Sequence, residues 1–97
     1  MEYLTNITNE GNVESRLYNS LILDLGTSYS YSEMSKEAIQ TFEVLIKRDP
    51  NNSVGLVNLG INYYRINDIN NACINFHKAS KLGNQQAKNL ILQLNCK

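Results

Sequence analysis

Apolar side chains recur along this chain at helical intervals. Tyr18, Ile22, Leu25 and Tyr29 stand at i, i+4, i+7 and i+11, and Val13, Leu17 and Leu21 carry a stripe back toward Asn12. Ala38, Ile39, Phe42, Leu45 and Ile46 form a second stripe, Leu56, Leu59, Gly60, Tyr63 and Ile66 a third, and Ala72, Phe76, Ala79 and Leu82 a fourth. Leu90 and Leu94, one turn apart, mark a last short helix. Such spacing gathers apolar groups on one side of a helix. No segment alternates β-branched and aromatic residues with polar ones between turn signals, so no strand is expected. The pattern predicts an all-α domain.

Turn residues divide the stripes. Asp49-Pro50-Asn51-Asn52 ends one helical pair, because Pro cannot continue a helix and Asn caps the next one. Ser32 or Ser35 is the expected cap of the second helix, Asp68 of the fourth, and Asn84 of the last. Gly83 suits the left-handed position after a helix end. Residues 1–18 read as an arm or as a backward extension of the first helix, with Leu4 and Ile7 at helical spacing.

The stripes repeat each other. Leu25 and Leu59, Gly26 and Gly60, Tyr29 and Tyr63, Ala38 and Ala72, Phe42 and Phe76, and Lys47 and Lys81 are all separated by the same interval. A fixed period of this length is the mark of a repeat architecture. With a bulky residue, Leu-Gly and Tyr on one helix, then Ala and Phe on the next, residues 19–52 and 53–86 resemble the tetratricopeptide repeat (TPR) family. Aliphatic residues replace that family's Trp in both units, and Asn84 stands where the second closing Pro would be. The resemblance implies an α-solenoid of two antiparallel hairpins, with residues 87–97 as a covering helix, all within one domain spanning 1–97. The glycines are expected to let paired helices approach, against the small Ala38 and Ala72 on the facing helix. Tyr29, Tyr63, Phe42 and Phe76 are expected to fill the space between hairpins.

Composition narrows the function. Lys plus Arg and Asp plus Glu are 9 each, a formal net charge of zero. Without excess positive charge little is gained by counterion release, so neither nucleic acid nor an anionic membrane is an expected partner. No apolar run approaches the roughly 20 residues needed to span a bilayer. The chain starts without a basic and then apolar leader pattern, and a cytoplasmic protein is expected. Cys73 and Cys96 lie far apart in the chain, neither within a CxxC pair, and are expected to be a small buried hydrophobe and a free thiol. His77 is the single histidine and has no second ligand at metal-binding spacing, so neither a metal nor a cofactor is expected. Phosphate-cradling loops and nucleophile elbows are missing, and the chain is expected not to be an enzyme.

What the resemblance implies is a concave groove, lined by the first helix of each pair, that takes a peptide or helix of another protein. The residues point the same way. Opposite the core stripe of the third helix lie Val54, Val57, Asn58, Ile61, Tyr64 and Arg65, a face too apolar for a bare surface. The corresponding positions elsewhere are Leu23, Asp24, Thr27, Ser30 and Tyr31 on the first helix and Lys88, Ile91, Leu92 and Asn95 on the last. Asn58 and Lys88 match the carboxylate-gripping branch of the family, but Leu23, Asp24 and Leu92 depart from it. A mostly apolar ligand is therefore expected, with Tyr64 as its anchor. Three occupants remain open: a partner protein, a second copy of the chain, or the chain's own segment 1–18. The charge is uneven as well, with eight acids and four bases in residues 1–49 against one and five in residues 50–97. Two readings of this stay open, two solvated faces or head-to-tail self-association of oppositely charged solenoid ends.

Overall fold

The computed structural model describes residues 13–97, and all its regular elements are helices: α1 (Val13–Tyr31), α2 (Ser35–Arg48), α3 (Ser53–Arg65), α4 (Ile69–Lys81) and α5 (Gln85–Leu94). The expected arm at residues 1–12 lies outside the described residues, whereas Val13 through Tyr18 belong to α1. Each helix packs chiefly on its chain neighbours, α1 on α2, α2 on α3, α3 on α4 and α4 on α5, with a lesser α1–α3 contact. This order is consistent with a helical-repeat arrangement.

The caps explain the boundaries. The side chains of Asn52, Asp68 and Asn84 accept hydrogen bonds from the backbone N–H groups of Gly55, Asn71 and Ala87, as the sequence leads one to expect. The start of α2 departs from expectation. Met34 occupies its cap position without any side-chain bond, and neither Ser32 nor Ser35 serves. Both hairpin turns share one backbone design. Met34 N–H bonds the Tyr29 carbonyl and Asp68 N–H the Tyr63 carbonyl, each at 2.9 Å. Glu33 and Asn67, at equivalent places in the two units, are left-handed at φ 61° and 68°. The period is thus written in the main chain as well as in the side chains.

Gly26 and Gly60 are required by rings rather than by the small alanines. A Cβ on Gly26 would stand 2.6 Å from Phe42 Cε1, and one on Gly60 would stand 2.5 Å from Phe76 Cε1. Each Phe therefore fills its own hairpin by lying against a bare helix backbone, which corrects the expectation that it fills the gap between hairpins. Phe42 and Phe76 are fully buried, along with Ala38 and Ala72.

Two apolar clusters make the core. A front cluster joins Ile22, Ala38, Phe42, Leu45 and Leu59, and a rear cluster joins Leu56, Val57, Ala72, Phe76, Ala79 and Ala87. Tyr63 and Ile46 pack against both. Leu90, Ile91 and Leu94 of α5 are half-buried over the rear cluster, so this helix lies across a side of it that would otherwise face water.

The cysteines overturn their expectation. Cys73 on α4 and Cys96, just beyond α5, form a disulfide with a Cα–Cα distance of 5.6 Å. The turn at Leu82-Gly83-Asn84 reverses the chain, so that two positions distant in sequence meet across neighbouring helices. Neither residue is a free thiol. No helix among the described residues is long and apolar enough to cross a membrane.

Candidate functional site

Helix α3 is the most enclosed element of the described chain. Gly55, Leu56, Val57, Leu59, Gly60 and Asn62 are all buried, against α2 on one side and α4 and α5 on the other. One stripe remains open. Val54, Tyr64 and Arg65 are exposed, and Asn58 and Ile61 are half-buried between them. Val54, Asn58, Ile61 and Tyr64 follow one another at helical steps, with Arg65 beside the last, so they share one face.

Two candidates move into the core. Val57 is 2 % exposed within the rear cluster, which gathers residues of α3, α4 and α5. Ile91 turns inward from α5 onto the same cluster. Leu92 beside it is 78 % exposed and stands one full period after Asn58. The open position on α5 is thus Leu92 together with exposed Lys88, rather than Ile91. Ile61 also leans on the rear cluster, so it belongs partly to the core and partly to the open stripe.

On α1, Asp24 is exposed, while Leu23 is half-buried and packs on the front cluster. Thr27 donates its hydroxyl to the Leu23 carbonyl at 2.8 Å, which leaves the methyl as its outward group. The link between α1 and α3 joins Ser30, which the sequence placed on the open face of the first helix, to Arg65 and to Asn62, which it did not single out. Arg65 Nη1 donates to the carbonyl and the hydroxyl oxygen of Ser30, both at 2.8 Å. Buried Asn62 donates from Nδ2 to the same hydroxyl at 3.2 Å and to the Asn58 carbonyl at 2.8 Å. Its Oδ1 is buried without a partner among the described residues. The only sequence signal for this network was one amide placed inside an apolar helix. Arg65 is therefore pinned in place, at the wall of a cleft of about 550 Å³ shared with Ser30, Tyr31, Glu33 and Ser35.

Across the α2–α3 contact, Tyr63 Oη donates to Glu43 Oε2 at 2.5 Å. That bond to a carboxylate pushes the phenol pKa up to about 12, helped by burial and by the negative charges of Glu43 and Asp68. A phenol so held is a structural tie between the hairpins.

His77 is half-buried, with Nε2 buried and without a partner among the described residues, and lines a cleft of about 580 Å³ together with Ile69, Ile74, Leu94 and the disulfide. Among the described residues, no group of three His, Cys, Asp or Glu side chains could hold a metal ion. Comparison with protein-family models and with curated protein sequences returned no match.

Proposed function

We propose that the chain is a TPR-like interaction module that binds a peptide or helix of a partner protein without catalysing a reaction. The observation that carries this reading is the open stripe of α3, Val54, Asn58, Ile61, Tyr64 and Arg65, on a helix whose other sides are covered. Val54 and Tyr64 supply apolar contact, and Tyr64 keeps a polar tip at the rim. Asp24, Arg65 and Lys88 add charges of both signs around it, which sets the orientation of a ligand more than its affinity. Nothing in this arrangement calls for a cofactor, a nucleic acid or a membrane.

A second reading rests on its own observation. Val13, Leu17, Tyr18, Leu21 and Leu25 are exposed along α1, at the front end of the array. A surface of this kind supports self-association, with the chain acting as a structural protein. Light scattering over a concentration series separates the two, since a protein monomeric throughout removes the second reading. Val54→Glu combined with Tyr64→Ala tests the first. Both positions are exposed, so the double variant should keep its helix content and melting temperature while losing the proteins that cross-link to the parent chain. Unchanged cross-linking by the folded variant would place the binding face elsewhere.

The cytoplasmic location expected from the sequence fits this reading less well than it did. Reducing cytosol keeps thiols apart, and a pair joined at rest favours an oxidising compartment.

A further inference from the structure

The disulfide closes the far end of the covering helix. Helix α5 has ten residues, below the roughly 12–15 at which an isolated helix persists in water. Among the described residues it packs chiefly on one neighbour, α4, with its apolar side over the rear cluster. Only Ala87, in its first turn, is fully buried, while Leu90, Ile91 and Leu94 are half-buried. The first turn is also held by the Asn84 cap, whose amide reaches Ser53 at 3.3 Å. The far end has the Cys96 N–H bond to the Ile91 carbonyl and the covalent link to Cys73. Hence α5 is held by half-buried packing along its inner side, by a cap and full burial at its start, and by sulfur at its finish.

The link is also within reach. Both cysteines are half-buried and line the open cleft of about 580 Å³, together with Ile69, Ile74, His77 and Leu94. An attacking thiolate needs that kind of access.

We infer that the Cys73–Cys96 disulfide is a redox-operated latch on the covering helix. One thiolate of a dithiol reductant attacks one of the two sulfurs, the S–S bond breaks, and a mixed disulfide forms. The reductant's second thiol then displaces the remaining protein sulfur. Two electrons and two protons pass to the protein, which now carries two thiols, and the reductant leaves as its own disulfide. Released at its far end, α5 frays back toward Ala87 and uncovers the side of the rear cluster on which Leu90, Ile91 and Leu94 pack. The front cluster of Phe42, Leu45 and Leu59 includes no residue of α5 and keeps its packing. This inference is independent of the proposed partner-binding face.

Backbone hydrogen exchange on the whole chain, with and without dithiothreitol, tests the latch, after mass spectrometry of the untreated protein has counted its thiols. Reduction should speed exchange at the α5 amides from Leu90 to Cys96 by about tenfold or more, with those of Phe42 and Leu45 unchanged. Cys96→Ser should reproduce the reduced pattern and no longer respond to dithiothreitol. Equal exchange in both states would show that the bond holds nothing that packing does not already hold. Uniform acceleration across α1 to α5 would make it a support of the whole fold, and two free thiols in the untreated protein would remove the bond itself. Any of these three results overturns the proposal.

Discussion

Leu25 and Leu59 occupy the same place in two copies of one repeating pattern, yet Leu25 is 50 % exposed and Leu59 is 2 % exposed. The local sequences are alike, Leu-Gly in a helix opposite a Phe, and both glycines are closed over by their rings. What differs is the neighbour upstream. Leu59 lies in the front cluster with Phe42 and Leu45, supplied by α2, whereas among the described residues no helix precedes α1. In a linear array, burial is a property of the interface between units, and a residue inherits it from its predecessor. The consequence reaches further than one leucine. Helix α1 buries only Ile22 and Gly26, and α3 buries six residues over a shorter length.

Substituting the matched leucines breaks this comparison most directly. Leu59→Ala should cost about 2–5 kcal/mol, as expected for a leucine removed from a closed core. Leu25→Ala should cost about 1 kcal/mol or less, because half of its surface already faces water. Chemical denaturation of the two variants side by side measures both. Equal costs would mean that in solution something covers Leu25, and a concentration-dependent cost for Leu25→Ala would identify a second copy of the chain as the cover.

The hairpin turns sharpen it at a smaller scale. Asn67 takes the left-handed position in the second turn and Asp68 caps α4, while the first turn uses Glu33 and an uncapped Met34. A left-handed non-glycine residue costs roughly 1–2 kcal/mol, less for Asn than for Glu, and an absent cap costs about 1 kcal/mol. Glu33→Asn with Met34→Asp copies the better turn into the worse one and should stabilise the chain by about 1–2 kcal/mol. A melting temperature that does not rise would show that Met34 contributes contacts worth as much as a cap.

Much of this was legible in the sequence because it depends on near neighbours. The period, the caps at Asn52, Asp68 and Asn84 and the left-handed Gly83 are each decided within a few residues or by one facing helix. The misses need three bodies or a reversal of direction. Val57 and Ile91 look outward until residues of α3, α4 and α5 are known to gather in one cluster. Cys73 and Cys96 come together only once α4 and α5 run back along each other. The cap of α2 was misplaced because two serines flank a turn whose hydrogen-bond register puts Met34 at the boundary. Of the binding face, Val54, Tyr64 and Arg65 were readable from helical phase. The Ser30 contacts that fix Arg65 were not, since they cross between α1 and α3.

The smallest expected effect concerns the tie between the hairpins, and pH isolates it. Tyr63 Oη donates to Glu43, and that bond pushes the phenol pKa from 10.0 up to about 12. The folded chain therefore holds this proton more tightly than the unfolded chain does. Its contribution is fully present below pH 10 and fades as the pH rises from about 10 through about 12. Tyr63→Phe removes the hydroxyl but keeps the ring that packs on both clusters, so near neutral pH it should cost under about 1 kcal/mol. The parent should lose stability more steeply than the variant across that alkaline window, and the two curves should converge above it. An ultraviolet titration of the folded protein should show one late phenol that the variant lacks. Parallel curves for parent and variant would mean that the Glu43 bond does not persist in solution. The contact between the two hairpins would then rest on its apolar packing, with Leu59 set among Phe42 and Leu45, and on the bonds of Arg65 and Asn62 to Ser30.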